Sequence, residues 1–212
     1  MYTGIVAGVG EVIALQQANG LSTFEIELPV NARDAIEIGA SIAIDGVCLT
    51  VTAFTASTAT FDVMQQTLAT TTLGMLKRSS RVNIERSAKV QQEIGGHELS
   101  GHIDCTAEVI EIETPENNRV LTLRVPEPYR KYIFAKGFLA LHGASLTVAS
   151  FEPKTGDLTV WLIPETLRLT TFAEKKVGDR INVEVDRKTQ VLVDTVTRFL
   201  HENQVRLFGV QS

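Results

Sequence analysis

Cysteine is scarce: Cys48 and Cys105 are the only two in 212 residues, too few for a disulfide framework. Positive charge is also in the minority. Lys and Arg total 20 against 25 Asp and Glu, giving a formal net charge of −5 and a pI near 5.4. That balance leaves no electrostatic footprint for nucleic acid. Nor is there a Lys/Arg cluster of the kind that reads anionic lipid. No apolar run approaches the roughly 20 residues needed to span a bilayer. The opening MYTGIVAGVGEVIAL lacks a basic start and reaches Glu11 early, which argues against a signal peptide. These absences predict a reduced, cytoplasmic protein with neither nucleic acid nor membrane as partner.

What is present is ample for packed cores: 44% of residues are apolar and 21% are charged. The length suits two small domains or one large one. An internal repeat decides between them. DGVCLTV, starting at Asp45, returns as HGASLTV at His142, an offset of 97. TGIVAGVGEVI at Thr3 matches SGHIDCTAEVI at Ser100 with the same offset. QTLATTTL at Gln66 matches ETLRLTTF at Glu165, and VNIERSAK at Val82 matches INVEVDRK at Ile181, both offset by 99. Four blocks in the same order, with one small insertion between them, indicate tandem duplication.

Each half alternates apolar and polar residues, as in TFEIELP, SIAIDGVCLTV, RVLTLRV and RINVEV, between turn dipeptides such as Asn19-Gly20 and Gly156-Asp157. About six short strands per half predict a small closed antiparallel barrel, because closure removes exposed sheet edges. The polar stretch VQQEIGGHE reads as the linker between halves. We therefore expect a first barrel over 1–97, a second over 98–188 and a helical tail over 189–212. In that tail Leu192, Val196, Phe199 and Leu200 fall on one helical stripe that the first half lacks. The stripe fits either packing on its own barrel or a seam between subunits.

Cys48 reads either as a small core hydrophobe or as a nucleophile. Val47, Leu49 and Val51 fill one strand face, and Cys48 and Thr50 share the other. The second copy places Ser145 and Thr147 there, which suggests a lined pocket. GGHELSGHIDC contains His97, Glu98, His102, Asp104 and Cys105, but its histidines are five apart and its glycines oppose a helix, so no metal site is expected. His102 is a candidate proton-transfer group; it stands where the first copy has Ile5. Asp186, where the first copy has Ser87, reads as a surface carboxylate unless the asymmetry is functional. Lys136 reads as a surface lysine. The repeat-paired Gly4, Gly46, Gly101 and Gly143 mark tight turns or close backbone approach.

With these blocks in place, the chain resembles the riboflavin synthase family over essentially its full length. The resemblance rests on MYTGIV, IDGVCLTV, QTLATTTLG, EIGGHELSGHID, GASLTV, LIPETLRLTT and VEVDRKTQVLVDTV. It implies an all-β fold of two tandem six-stranded Greek-key antiparallel barrels followed by a C-terminal α-helix. It also implies a homotrimer with catalysis where one subunit's first barrel faces a neighbour's second, and lumazine synthase as a candidate partner. The implied reaction moves a four-carbon unit between two molecules of 6,7-dimethyl-8-ribityllumazine, with no cofactor and no metal.

The resemblance implies a first-barrel pocket of Gly4, Ile5 and Val6, then Cys48, Leu49 and Thr50, then Asp62, Val63, Met64, Gln65, Gln66 and Thr67. The second-barrel pocket would be Gly101, His102 and Ile103, Lys136, Ser145, Leu146 and Thr147, then Trp161, Leu162, Ile163, Pro164, Glu165 and Thr166. Chemistry is expected from Cys48, His102, Ser145 and Asp186, assisted by Ser41 and Thr147. Two residues depart from the family pattern: Tyr2 replaces the usual Phe, and His142 the usual Asp. The competing expectation is a lumazine-binding antenna protein of the same fold, which would lose this polar set in one or both pockets.

Overall fold

The computed structural model describes residues 1–18, 20–91 and 93–208, and side chains as far as Asn203. Asn19, Gln92 and residues 209–212, and with them one expected turn residue and the end of the tail, lie outside the described residues. The first half is a closed antiparallel barrel in the order β1-β2-β5-β4-β3-β6, with β6 returning to β1. Its strands are β1 (Gly8–Ala18), β2 (Leu21–Glu27), β3 (Ser41–Ile44), β4 (Val47–Phe54), β5 (Thr58–Met64) and β6 (Arg81–Arg86). Period-two alternation sends Ala59, Phe61 and Val63 inward, where they meet Phe24, Ile26, Ile42 and Ile84 in an apolar core. A short helix, α1 (Gln65–Thr70), follows β5.

The second half repeats this plan with β7 (Cys105–Glu113), β8 (Arg119–Arg124), α2 (Glu127–Arg130), β9 (Phe138–Leu141), β10 (Ala144–Thr147), β11 (Ser150–Glu152), β12 (Asp157–Leu162), α3 (Pro164–Leu169) and β13 (Arg180–Val185). Even the β-bulge recurs, between Val12 and Ala14 and again between Val109 and Glu111. One difference stands against the expected six strands. The counterpart of β4 is broken into β10 and β11, so the sheet runs β10-β9-β13-β7-β8-β12-β11. The break falls where the strand changes partner: the Val148 N–H donates to the Gly137 carbonyl and the Ala149 N–H to the Thr159 carbonyl. The chain itself thus joins the two edges of the curled sheet.

The final helix, α4 (Arg187–Phe208), leans on the second half through Val193, which packs on that core. Asp194 fastens it, accepting hydrogen bonds from the Tyr132 hydroxyl at 2.7 Å and from the Lys131 ammonium at 2.8 Å. Leu192, Val196, Phe199 and Leu200 are all about half exposed or more. The expected stripe is therefore not the face that packs on its own barrel. No described helix is long and apolar enough to cross a membrane.

The halves meet across a pseudo-two-fold axis. The Asp45-Gly46 turn faces the His142-Gly143 turn so closely that a Cβ on Gly46 would lie 2.7 Å from the Gly143 nitrogen. The Asn83 side-chain amide donates to the His142 carbonyl at 3.0 Å, and its oxygen accepts from the Thr171 N–H at 2.8 Å. Asn182 does the converse, to the Asp45 carbonyl at 2.9 Å and from the Thr72 N–H at 2.8 Å. His142 keeps the role an aspartate plays in the other half. Its Nδ1 accepts from the Asn182 N–H at 3.3 Å, as Asp45 Oδ1 accepts from the Asn83 N–H at 2.8 Å.

This junction has a testable pH signature. Burial pushes the Asp45 carboxyl from 3.8 up to about 6, opposed by Lys175 and the Asn83 N–H. A raised folded-state value means the contribution to stability is present below 3.8 and is lost as pH rises through about 6. His142 runs the other way: burial depresses it, so its contribution is present above 6.5 and lost as pH falls. Comparing Asp45→Asn with the parent isolates the carboxylate. The stability difference should move by about 2 kcal/mol in the variant's favour between pH 4 and 7. Urea unfolding across that range checks this; a pH-independent difference would contradict it.

Candidate active site

The two opening segments are held by a repeated carboxylate. Glu85 accepts from the Thr3 N–H and hydroxyl at 2.7 and 2.8 Å and from the Gly4 N–H at 3.1 Å. Glu184 accepts from the Ser100 N–H and hydroxyl at 2.7 and 2.6 Å and from the Gly101 N–H at 3.0 Å. Each segment then crosses to the opposite half. The Ser145 N–H donates to the Gly4 carbonyl and the Cys48 N–H to the Gly101 carbonyl, both at 2.8 Å. A Cβ on Gly4 would stand 2.5 Å from the Ser145 Cβ, and one on Gly101 would stand 2.6 Å from the Cys48 Cβ. Both glycines also have positive φ, so no other residue fits without displacing the crossing strand.

This crossing regroups the expected pocket strips. Gly4, Ile5 and Val6 lie with Ser145, Leu146, Ile163, Glu165 and Thr166 around a 180 Å³ pocket on the second half. Val6 is buried in the second half's core, and Ile103 packs against the first half's. The physical reason is that each opening segment buries its apolar side chain in the other barrel before entering its own. Gly101, His102 and Ile103 thus belong with Cys48, Leu49 and Thr50.

Within those strips Leu49, Val63 and Leu162 point into the barrel interiors and are paired in the sheets with Ile42, Ser22 and Arg119. Thr50, Asp62, Met64, Gln65, Gln66, Thr147, Trp161, Ile163, Pro164 and Glu165 are exposed, while Thr67 and Thr166 are half-buried. Lys136 is exposed in the turn before β9 at a φ of 67°, and its N–H donates to the Val148 carbonyl. Ser41 pairs with Thr50 across β3 and β4.

Cys48 and Ser145 occupy matching positions beside the axis but have different companions. The half-buried Cys48 sulfur accepts a 3.1 Å hydrogen bond from the Tyr2 hydroxyl. The Ser145 hydroxyl lies 2.6 Å from His97 Nδ1. His97 was not among the expected site residues. It is buried, stacked on Phe138 at 5.4 Å, and burial holds its imidazole below the ordinary value while Asp186 pulls it upward. With no counterpart in the first half, His97 gives no signal in the repeat; a histidine beside the crowded Gly96 was the clue available. Burial acts to raise the Asp186 carboxyl, but hydrogen bonds from Thr189 and Lys188 outweigh it and hold the carboxyl below its usual range. The Thr189 hydroxyl and N–H donate to it at 2.7 and 3.0 Å. His102 is exposed, and Arg187 grips its carbonyl at 2.8 Å and Asp104 at 2.9 Å. Asp186, Leu99, Ser100 and Met1 line an 840 Å³ groove whose other wall is Val191, Leu192 and Thr195 of α4.

Comparison with known proteins identifies the repeated domain and the family. A model described as a lumazine binding domain matches twice, at residues 3–87 and 100–186. Riboflavin synthase of Escherichia coli (strain K12) is 45% identical over 215 residues, covering 100% of both chains. Riboflavin synthase of Bacillus subtilis (strain 168) is 36% identical, covering 95% of this chain and 91% of its own. Among solved structures, LumP complexed with riboflavin superposes with a TM-score of 0.82 at 22% identity, covering 88% of this chain and 100% of that one. LumP complexed with 6,7-dimethyl-8-(1'-D-ribityl) lumazine gives 0.79. The second likeness concerns the fold, the first the sequence along its whole length, and so the chain, with two lumazine-binding domains in tandem, belongs to the riboflavin synthase family.

Proposed function

We propose that this chain converts two molecules of 6,7-dimethyl-8-ribityllumazine into riboflavin and 5-amino-6-ribitylaminouracil by transferring a four-carbon unit from one to the other. The observation that carries this reading is the unlike pair at matched positions: Cys48 beside Tyr2 in one half, Ser145 beside His97 in the other. Two identical substrates call for two similar pockets, and their opposite roles as donor and acceptor call for different chemistry in each. Backbone groups of the crosswise strips hydrogen-bond the pyrimidine edge. His102 accepts a proton from the acidic C7-methyl of one lumazine, and Cys48 adds at C7 of the other. Ser145, held by His97, and Asp186 serve the second ring, with Ser41 and Thr147 assisting. Holding the rings face to face supplies much of the acceleration.

Functionally the chain divides into barrels 1–97 and 98–188 and a trimer-forming segment 189–212, acting in the cytoplasm with lumazine synthase as a candidate associated protein. The exposed α4 stripe and the groove beside Asp186 support assembly, since both lie open in the single chain. Mixing purified protein with the lumazine should convert its absorbance to that of a flavin. Lumazine that stays bound and unconverted would favour the antenna-protein reading.

A further inference from the structure

We propose that the Tyr2 hydroxyl is a positioning group for Cys48, holding the sulfur in one orientation and donating a hydrogen bond to the thiolate when it forms. The inference rests on the reaction assigned above. Tyr2 is 1% exposed, and its phenol oxygen lies 3.1 Å from the Cys48 sulfur. The ring cannot swing away. Its backbone is bridged to Leu99 by reciprocal hydrogen bonds of 2.8 and 3.0 Å, and its edge abuts Gly101. Cys48 is fixed from its other side by its N–H bond to the Gly101 carbonyl. Sulfur and phenol are thus both set by the same crossing segment that builds the pocket.

The direction of the bond follows from the surroundings. Burial, and then the neighbouring sulfur, push the Tyr2 phenol well above its ordinary acidity range, so it stays protonated and acts as donor. A neutral donor aimed at a thiol stabilises the anion more than the neutral sulfur. The arrangement is also one-sided. The residue matching Tyr2 in the second half is Leu99, which carries no donor, and Ser145 is served by His97 instead. A phenylalanine, usual in the family the chain resembles, would fill the same space without the hydroxyl, so Tyr2→Phe removes the donor to Cys48 together with the hydroxyl's hydrogen bond with Ser41.

The test uses the full chain and iodoacetamide as probe, read without lumazine. Cys105 is buried and its thiol is pushed up to about 12, so alkylation below pH 9 reports Cys48, with Cys48→Ser as the blank. In Tyr2→Phe the alkylation rate at pH 8 should fall roughly three- to tenfold and its pH profile should move to higher pH. Flavin formation should lose kcat by a similar factor with KM unchanged. Superimposable alkylation profiles would overturn the proposal. A shifted profile with unchanged kcat would overturn the hydroxyl's part in the reaction. Neither resembles the result that defeats the activity itself, which is absence of turnover in the parent.

Discussion

Replacing Cys48 with alanine should cut riboflavin formation by roughly a hundredfold or more while lumazine binding persists within a few-fold. The substitution is mild for the fold. Its N–H bond to the Gly101 carbonyl belongs to the backbone and survives, so the crossing segment keeps its register. The flanking Val47, Leu49 and Val51 remain buried in the barrel. The main structural cost is the Tyr2 hydroxyl, which loses its acceptor in a buried setting, about 1–2 kcal/mol. What disappears is the one atom that distinguishes this position from Ser145. Flavin absorbance reads turnover, and fluorescence titration with the lumazine reads binding. Near-normal turnover would remove Cys48 from the chemistry, and lost binding would reassign it to packing.

Ending the chain at Thr189 should yield a folded monomer with near-background turnover. Thr189 is retained because its hydroxyl and N–H hold Asp186. The truncation removes Val193 from the edge of the second core and Asp194 from Tyr132 and Lys131, contacts at the surface of an otherwise complete sheet. It also removes Val191, Leu192, Val196, Phe199 and Leu200, large apolar side chains exposed along α4. Burying such a stripe between helices is worth about 25 cal/mol per Å², enough to decide association. If each active site is completed by a neighbour, separating subunits divides every site while leaving each barrel able to bind. Sedimentation velocity and flavin formation on the same sample check this. A truncated monomer with full activity would contradict it.

Much of this arrangement is written in the repeat. The matched blocks locate the barrels, the glycine pairs mark the close approaches, and Glu85/Glu184 and Asn83/Asn182 are identical polar residues at matched positions inside apolar strands. Those last two pairs lie on the strand face opposite the barrel-filling Val82, Ile84, Ile181 and Val183, and are legible as buried anchors once that face is asked what it meets. The crossing of Gly4 to Val6 onto the second half is not legible, because repeat matching aligns a segment with its own barrel whichever barrel it touches. The break between β10 and β11 is a change of pairing partner at Val148, which alternation alone does not reveal. His97 was hidden for a different reason: the asymmetries that stand out are substitutions within matched blocks, and His97 falls before the first matched residue. His142 shows the limit from the other side. The departure from aspartate is visible in sequence, yet its ring nitrogen still accepts the Asn182 N–H, so the junction is kept with a neutral group.

If two unlike pockets from different subunits make one active site, as proposed, mixing two inactive variants tests it most directly. Cys48→Ala damages only first-barrel pockets, and Ser145→Ala only second-barrel pockets. Each alone should be nearly inactive. Unfolded together and refolded into mixed assemblies of the proposed trimer, they should regain activity, because a site that pairs the Ser145→Ala chain's intact first barrel with the Cys48→Ala chain's intact second barrel carries both residues. Random assembly gives about a quarter of such sites, and flavin formation should approach that fraction of the parent rate. Mixed trimers that remain as inactive as the separate variants would contradict the account.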